Sequence, residues 1–330
     1  MEMTEFQNKV LKALTEYGGP EYTVKISRVN KNNGIVLTGV SMCRPGCSIT
    51  PTVYLDDYLG KYEAGMAFGD IINDIIMVIR NNENAVEFDV SEFTEWEKAE
   101  TRIAFKLINS SKNEQLLKEV PSVPFMDMSI VFYYLIGEKY FGNASILVRN
   151  THLEYWGADT EMLYSVALAN TRKILKPQLQ NMGELMKDVF MEDIKRKLRN
   201  SGEYDSRIEA DEIAKEVIND ILLSRQGVPM YILTNKNKYF GAAGMIYTDI
   251  LGRFAEEKDC NIYILPSSVH EVILLPDMGF ENADELKKMV YEVNRTQLSP
   301  DEVLSDSVYY YDREKGDISV LRGECITAIA

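Results

Sequence analysis

The stretch from Leu265 to Asp277, LPSSVHEVILLPD, contains the residue types of a serine hydrolase. It places Ser268, Glu271 and His270, one of the chain's two histidines, close together between two prolines. A nucleophilic serine needs a base within hydrogen-bond reach and a third group that orients this base. Ser268, His270 and Glu271 are therefore the candidate catalytic residues of the sequence.

The spacing limits the chemistry that this stretch can perform alone. Successive side chains of a strand point to opposite faces, so Ser268 and His270 share a face that Glu271 does not. We therefore expect at most a Ser268–His270 pair, with the acid supplied from elsewhere. The favoured alternative is that Pro266–Ser268 turn the chain between the runs NIYIL and EVILL, with hydroxyls bonding the turn backbone. No G-x-S-x-G elbow supports the catalytic interpretation.

The segment CRPGC places Cys43 and Cys47 on either side of an Arg-Pro-Gly turn. A structural zinc site needs four ligands, and Cys260 and Cys325 do not form a second close pair. The sequence therefore predicts no metal site. A loop with two thiols is expected, and a redox-active Cys43–Cys47 pair remains the alternative, because the turn could bring the sulfurs together.

The glycine-rich stretch YFGAAG, residues 239–244, resembles a phosphate-binding loop only loosely. It has neither the G-x-G-x-x-G pattern nor the G-K-[ST] ending that phosphate loops use. Its small side chains instead predict close packing of a strand or helix. The sequence therefore predicts no cofactor.

The composition excludes several classes of partner. The chain has 36 basic and 51 acidic residues, a net charge of −15. Nucleic-acid binding draws on Lys and Arg contacts to phosphate, and anionic membranes repel acidic proteins, so general nucleic-acid binding and membrane binding are not expected. The four cysteines are too sparse for a disulfide scaffold, and no signal sequence or membrane span is visible. We expect a cytoplasmic protein whose partner is a protein or a small molecule; its oligomeric state is not predicted.

The residue pattern predicts an α+β fold. Phe6, Val10, Leu11 and Leu14 mark an amphipathic helix, and Asn32–Gly34 lies between two alternating runs that read as a hairpin. We expect two lobes of mixed, mainly antiparallel sheet with packed helices. The predicted parts are a lobe at 1–176, a charged helical insert or linker at 177–227 and a second lobe at 228–330.

An internal similarity relates the two predicted lobes. KYFGNASILVRNTHLEYWG begins at Lys139, and KYFGAAGMIYTDILGRFAE begins at Lys238. Each has an apolar run after the shared tetrapeptide and then a capping-type residue, Asn150 or Asp249, before a helix. A duplicated hairpin–helix unit would explain this similarity. Independent convergence on a common hairpin composition explains it equally well.

Three blocks of the chain resemble a known family. They are MSIVFYYLIG with ASILVRNTHLEYWGADTEMLYSVALANTRK, MYILTNKNKYFGAAGMIYTDILGRFAEEKDCNIYILPSSVHEVILLPD, and VNRTQLSPDEVLSDSVYYYDRE. They resemble a domain-of-unknown-function family of Firmicutes, especially gut clostridia, and more distantly the YtpQ-like family of Bacillus. The resemblance covers most of the chain outside residues 177–224. It implies no activity, and other polar residues at the SSVHEV position of the distant relatives argue against an obligatory histidine.

These observations favour a non-enzymatic cytoplasmic binding or adaptor protein that acts through protein–protein or small-ligand contacts. The first alternative is a hydrolase that uses the Ser268–His270 pair. The second is an acidic inhibitor that mimics nucleic acid, although the carboxylates are spread evenly along the chain.

Overall fold

The computed structural model divides into two compact units. The described residues are 1–44, 50–83, 89–136, 145–185, 187, 229–279 and 282–321. Unit 1 comprises Met1–Pro124 and Ser129–Thr171, and unit 2 comprises Phe125–Met128 and Arg172–Ala330. The described strands form three mainly antiparallel sheets on which helices pack, so the predicted α+β fold is confirmed.

The helices in the first 175 residues include the predicted amphipathic helix at the N-terminus. They are α1 (Met3–Gly18), α2 (Leu55–Glu63), α3 (Phe68–Glu83), α4 (Ser91–Thr94), α5 (Trp96–Ala99), α6 (Glu114–Leu117), α7 (Asn150–Trp156) and α8 (Thr160–Leu175). Phe6, Val10 and Leu14 recur every four residues, so they lie along one face of α1 and are fully buried. They share a core with Ile71 and Ile75 of α3.

The first sheet of unit 1 contains the predicted hairpin. Its order is β1 (Thr23–Asn30), β2 (Val36–Cys43) and β3 (Thr52–Tyr54), with both pairs antiparallel. The hairpin loop closes through Asn33 and Gly34, whose φ angles are 59° and 69°. Asn and Gly tolerate this left-handed backbone, which is why the Asn-Asn-Gly sequence predicted the turn correctly.

The second sheet has the order β4-β6-β5, with β7 paired to β6. Its strands are β4 (Ile103–Asn109), β5 (Ser122–Phe125), β6 (Met128–Leu135) and β7 (Ser145–Leu147). Strands β6 and β7 pair antiparallel, from Tyr133 opposite Leu147 to Leu135 opposite Ser145. Strand β4 is buried along its length except at its central residue, Lys106, which is half-buried.

Unit 2 contains a six-stranded sheet of order β13-β12-β10-β11-β9-β8. Its strands are β8 (Pro177–Asn181), β9 (Tyr231–Asn235), β10 (Ile262–Ser268), β11 (Glu271–Pro276), β12 (Tyr309–Asp312) and β13 (Asp317–Val320). Helices of this unit include α9 (Thr248–Lys258) and α10 (Ala283–Thr296). As the period of two predicts, Tyr309 and Tyr311 are buried on one face, and Tyr310 packs with Tyr263 on the other.

The expected helical insert needs correction at its start and lies mostly outside the described residues. The expected internal duplication is not confirmed. Pro177–Asn181, the start of the expected helical insert, form an edge strand that pairs with β9, and proline is tolerated at such an edge. Residues 188–228 lie outside the described part of the chain. The internal duplication is not confirmed, because Ser145–Leu147 is a strand whereas Gly241–Ile246 is a 3-10 helix. Residues 139–142 are also not described.

Across the described ranges, no helix has both the length and the apolar character that a membrane crossing requires.

Candidate functional site

The turn between β10 and β11 contains the three predicted catalytic residues. Ser268 and Glu271 are cross-strand partners, and Val269 and His270 connect them. The expected turn at Pro266–Ser268 is therefore displaced, because these residues continue β10 through a bulge. The Ser268 hydroxyl oxygen accepts the His270 backbone N–H at 3.0 Å, which is the local bond expected of a turn serine.

The imidazole of His270 is held by partners outside the predicted triad. Its Nδ1 accepts the Phe240 backbone N–H at 3.2 Å, and its ring stacks on that of Phe240 at an interplanar angle of 5°. An accepting Nδ1 leaves the proton on Nε2, which lies 3.6 Å from the Glu302 carboxylate. Both ring nitrogens thus face partners other than the Ser268 hydroxyl.

The carboxylate beside His270 is that of Glu302, and it is not that of Glu271. Glu302 also fixes the turn through its backbone, because its carbonyl accepts the Val269 N–H at 2.9 Å. Glu302, which the sequence analysis did not single out, thus brings a carboxylate from elsewhere in the chain beside His270. The resulting arrangement orients the imidazole, but it does not set that imidazole to withdraw a proton from Ser268.

The YFGAAG segment packs against the β10–β11 turn. Phe240 has a left-handed φ of 56°, and Gly241–Ile246 form a 3-10 helix whose glycines and alanines are buried. A Cβ at Gly241 would lie 2.5 Å from the His270 carbonyl oxygen and 2.7 Å from the Cα of Thr234. The absence of a side chain at Gly241 therefore permits close packing, which is the role that the sequence predicted for the small residues.

The cysteine segment is only partly described. Cys43 ends β2, and its sulfur accepts the Thr50 hydroxyl at 3.1 Å. Cys47 and Cys325 lie outside the described residues, so the proposed Cys43–Cys47 redox pair stays a prediction. Burial raises the pKa of the Cys260 thiol. Within the described ranges, no group of three or more His, Cys, Asp and Glu side chains is arranged to hold a metal.

A second polar group, here called the hydroxyl cluster, surrounds Asp127 in unit 2. Its carboxylate accepts three O–H groups, from Ser305 (2.7 Å), Ser307 (3.1 Å) and Tyr309 (2.5 Å). Ser305 and Tyr309 are fully buried. Burial, together with the Asp127 charge, raises the pKa of Tyr309 well above its ordinary value. The phenol therefore stays protonated and acts as a permanent donor.

Helix α10 holds in place the segment that contributes Ser305 and Ser307 to the hydroxyl cluster. The Asn294 amide donates to the Ser305 carbonyl at 2.9 Å and to the Asp306 carboxylate at 2.8 Å. Arg295 holds the same Asp306 through two further bonds of 3.1 and 3.2 Å. These bonds fix the Ser305–Ser307 segment, so its two hydroxyls are oriented toward Asp127.

A third group, here called the lysine site, lies in unit 1 where the β1–β2 loop packs on β4. It consists of Lys106, the half-buried centre of β4, and Lys31 of the loop, whose ammonium group lies 4.1 Å above the Tyr54 ring. Burial lowers the pKa of Lys106 to about 8, and the Lys31 charge contributes to the same shift. The Lys31 charge thus acts on Lys106 in partly desolvated surroundings.

Asparagine side chains hold this loop in place. Asn113 is buried; its side-chain oxygen accepts the Asn33 backbone N–H at 2.8 Å, and its amide donates to the Asn33 side-chain oxygen at 2.9 Å. The same amide donates to the carbonyl of Asn109, the last residue of β4, at 2.8 Å. This set of bonds ties the loop that carries Lys31 to the strand that carries Lys106.

Replacement of Lys106 by methionine is expected to stabilise the protein by about 2 kcal/mol at pH 7. A pKa lowered from 10.5 to about 8 corresponds to roughly 3 kcal/mol of unfavourable burial, which partial exposure reduces. Between pH 8 and 10.5 the unfolded chain binds the proton that the folded chain releases, so wild-type stability rises with pH in this window. The variant should lack this rise. Denaturant unfolding followed by the fluorescence of Trp96 and Trp156, both in unit 1, measures the difference.

The exposed Lys25 of β1 provides the matched control. Lys25→Met should change the free energy of unfolding by less than about 0.5 kcal/mol at either pH. Equal stability of Lys106→Met and wild type at pH 7 would show that the burial of Lys106 carries no cost.

A protein-family model matches nearly the whole chain. Residues 3–313 match a family of unknown function, DUF5688. The chain belongs to the DUF5688 family. No curated protein and no solved structure matches it significantly. The β10–β11 turn with its three candidate residues, the hydroxyl cluster and the lysine site all lie within the matched residues. Membership of DUF5688 assigns none of them a role.

Three residues of these sites in the DUF5688 chain, Lys106, Asp127 and Glu302, were not predicted from the sequence. Lys106 had a usable signal, since a lysine at the centre of the apolar run IAFKLI departs from strand patterning. Asp127 and Glu302 had none, because their partners are far away in sequence; Asp127 is 178 residues from Ser305.

Proposed function

We propose that this DUF5688 protein is a non-enzymatic binding protein that holds a small anionic ligand at the lysine site. The observation that carries the proposal is that the β1–β2 loop, which carries Lys31, packs on β4, where the Lys31 charge lowers the pKa of the half-buried Lys106. Burying an ammonium group within the influence of a second cation is unfavourable, and strongly perturbed pKa values cluster at functional sites. An anion bound between the two would offset both the repulsion and the lost hydration.

The expected gain is sufficient for useful affinity. One anionic charge about 4 Å from an ammonium group gains roughly 4 kcal/mol at the effective dielectric of a partly buried site, before the ligand's own desolvation. The asparagine bonds between Asn33 and Asn113 support a loop that is already in place before the ligand arrives. Such preorganisation reduces the entropy lost on binding.

The charge of the whole chain supports a small ligand over a polyanion. At a net charge of −15 the chain repels long anions such as nucleic acid, whose many phosphates approach the surface broadly. A compact carboxylate or phosphate senses mainly the two nearby ammonium groups, because surface charges beyond a Debye length of about 8 Å are screened at physiological salt.

Titration of the full chain with inorganic phosphate, sulfate and pyruvate tests this function. Amide chemical shifts of residues 31–35 and of β4 should move for at least one of the anions. Lys31→Met and Lys106→Met should each weaken binding by about tenfold or more, whereas Lys25→Met should leave it unchanged. Failure of all three anions to shift these resonances, or equal loss in Lys25→Met, would contradict the proposal.

We also propose the finer parts of the sequence interpretation. A place among the Firmicutes members of the family, and a distant relation to the YtpQ-like family of Bacillus, are supported by blocks such as VNRTQLSPDEVLSDSVYYYDRE. A cytoplasmic location is supported by the free thiols of Cys43 and Cys260, which suit a reducing compartment.

The hydrolase and the nucleic-acid mimic remain the alternative proposals. A hydrolase at Ser268 and His270 would need the imidazole to exchange its bonds with Phe240 and Glu302 for one with the serine hydroxyl. A nucleic-acid mimic would need clustered, uncompensated carboxylates, whereas many described ones, including those of Asp249 and Asp306, pair with arginine.

A further inference from the structure

We propose that a group of exposed lysines in unit 2 is a docking surface for an acidic, extended segment of a protein partner. This group, here called the basic patch, consists of Lys173, Lys176, Lys236 and Lys238. It shares no residue with the lysine site of unit 1, so the proposal goes beyond the anion binding proposed above. In a chain of net charge −15, such a local concentration of cations offers a complementary surface to a negatively charged partner.

Backbone bonds bring the two segments of the basic patch together. Strands β8 and β9 pair antiparallel, so Lys176, just before β8, lies next to Lys236, just after β9. The Lys236 backbone N–H donates to the carbonyls of Leu175 (3.0 Å) and Lys176 (3.2 Å). Lys173 lies in the last turn of α8, which leads directly into this contact. The lysines of the patch therefore project from two segments whose backbones are bonded to each other.

Asn235, which is buried, fixes the loop that carries Lys236 and Lys238. Its side-chain oxygen accepts the backbone N–H groups of Asn237 (3.0 Å) and Tyr239 (3.3 Å), and its amide donates to the Tyr239 carbonyl at 2.7 Å. Its own carbonyl accepts the Lys238 N–H at 2.9 Å. The loop backbone is thus held in place while both lysine side chains remain exposed. Such preorganisation reduces the entropy lost when a partner docks.

No carboxylate of the described residues neutralises the basic patch. None of its ammonium groups forms an ion pair or a hydrogen bond with a described side chain. Most other basic side chains described in unit 2 do pair with Asp or Glu; they are Arg172, Arg253, Lys258, Lys287, Lys288, Arg295, Arg313 and Lys315. A partner's carboxylates would therefore meet cations for which the described part of this chain supplies no counter-charge.

Two lysines of the patch occupy backbone conformations that disfavour lysine. Lys176 and Lys238 have φ angles of 45° and 51°, in the left-handed region where glycine and asparagine are the usual residues. The chain does use the usual residues at other left-handed positions, such as Asn33 and Gly157. Unfavourable backbone of this kind is retained mainly at functional sites. Use of the lysine charge explains why lysine stands at both positions.

The residue types favour an acidic peptide over nucleic acid. Lysine presents a point charge on a flexible stem, whereas arginine is the preferred residue for recognising nucleic-acid phosphates. Arg172, next to Lys173 in the chain, is already held by Asp249 through bonds of 3.0 and 2.6 Å. A long polyanion would also meet the repulsion of the whole chain. An extended peptide with acidic alternate residues presents its carboxylates on one side, about 7 Å apart, so several can reach the patch together.

Binding of a fluorescently labelled peptide of alternating glutamate and serine to the full-length protein tests the proposal. Anisotropy should rise for this peptide and stay unchanged for one of alternating glutamine and serine. Affinity should fall about tenfold or more between about 50 mM and about 300 mM salt, because exposed charges are screened. Lys236→Glu combined with Lys238→Glu should weaken binding about tenfold or more. Lys25→Glu combined with Arg28→Glu, at exposed positions of β1, changes the net charge equally and should weaken binding less than about twofold.

A second double variant separates the lysine charges from any role in folding. Lys176→Asn combined with Lys238→Asn removes two charges and supplies a residue that tolerates the left-handed backbone. We expect slower hydrogen exchange in β9, which reports a more stable sheet, together with about threefold or more weaker binding of the glutamate peptide. Slower exchange with unchanged peptide affinity would show that these lysines do not bind the partner.

Three further results would overturn the proposal. The glutamate peptide does not bind at low salt, or it binds no better than the glutamine peptide. The two glutamate double variants lose the same affinity, which would make net charge, and not the basic patch, the cause of binding. A single-stranded oligonucleotide of the same net charge binds more tightly than the peptide, which would assign the surface to nucleic acid instead.

Discussion

Replacement of Asp127 by alanine is expected to destabilise unit 2 by about 3 kcal/mol. The substitution removes the acceptor of three O–H groups, two of which belong to the fully buried Ser305 and Tyr309. Bonds to a charged acceptor contribute about 1.5–3 kcal/mol each, and a buried donor left without an acceptor adds a desolvation cost of similar size. Serine hydroxyls can rotate toward other acceptors, so the total is smaller than the sum.

The two tryptophans allow this prediction to be measured in one molecule. Trp96 and Trp156 lie in unit 1, so their fluorescence follows unit 1, while hydrogen exchange of β12 and β13 peptides follows unit 2. Asp127→Ala should accelerate exchange in β12 and leave the fluorescence transition nearly unchanged.

Tyr309→Phe supplies the matched control for Asp127→Ala. It removes one donor but leaves the carboxylate bound by two serines, so a loss of about 1 kcal/mol is expected. In the double variant the two losses should not add, because both act on the same bond. Additive losses would show that Asp127 and Tyr309 do not act through a shared bond, and unchanged β12 exchange in Asp127→Ala would show that the hydroxyl cluster does not stabilise the sheet.

Replacement of Gly241 by alanine should cost about 3 kcal/mol. The new methyl group would lie 2.5 Å from the His270 carbonyl oxygen and 2.7 Å from the Cα of Thr234. Both are backbone atoms of strands or turns and cannot rotate away, so the 3-10 helix and the β10–β11 turn must separate. The Thr234 hydroxyl bond to the His270 carbonyl, 2.9 Å long, should be lost at the same time.

Denaturant unfolding and exchange of β9 and β11 peptides measure the effect of Gly241→Ala. Gly60→Ala in α2 is the control, since a Cβ there meets open space and alanine favours the helix by about 0.5–1 kcal/mol. Adding Thr234→Ala to Gly241→Ala should recover little, because the His270 carbonyl still obstructs the methyl group. Substantial recovery, or a loss below about 1 kcal/mol for Gly241→Ala alone, would contradict this explanation.

Local chemistry explains which elements the sequence predicted correctly. The Asn33–Gly34 turn and the Phe6–Leu14 face of α1 each depend on residues within one element. The β10–β11 turn was displaced because a bulge within β10 changes the register, and no residue pattern marked that bulge.

The sites were predicted less well, because they depend on contacts between distant segments. The sequence predicted that Ser268 and His270 share one face of a strand. In the structure, Phe240 and Glu302 determine how the imidazole is bonded. Asn33 and Asn113, which fix the lysine site, are separated by 80 residues. A single sequence contains no signal of such pairings, whereas the lone lysine of β4 was a local irregularity that could have been noticed.

The division of the chain also has a consequence for its biosynthesis. Unit 2 includes Phe125–Met128, yet the hydroxyls that bond Asp127 belong to residues 178 to 182 positions later. A ribosome adding about 5–20 residues per second needs roughly 10–40 seconds to reach them. During that interval the nascent chain carries Asp127 without these partners, so the hydroxyl cluster cannot form before residues 305–309 have been made. A product truncated before Ser305 would lack all three donors and so could not form the cluster.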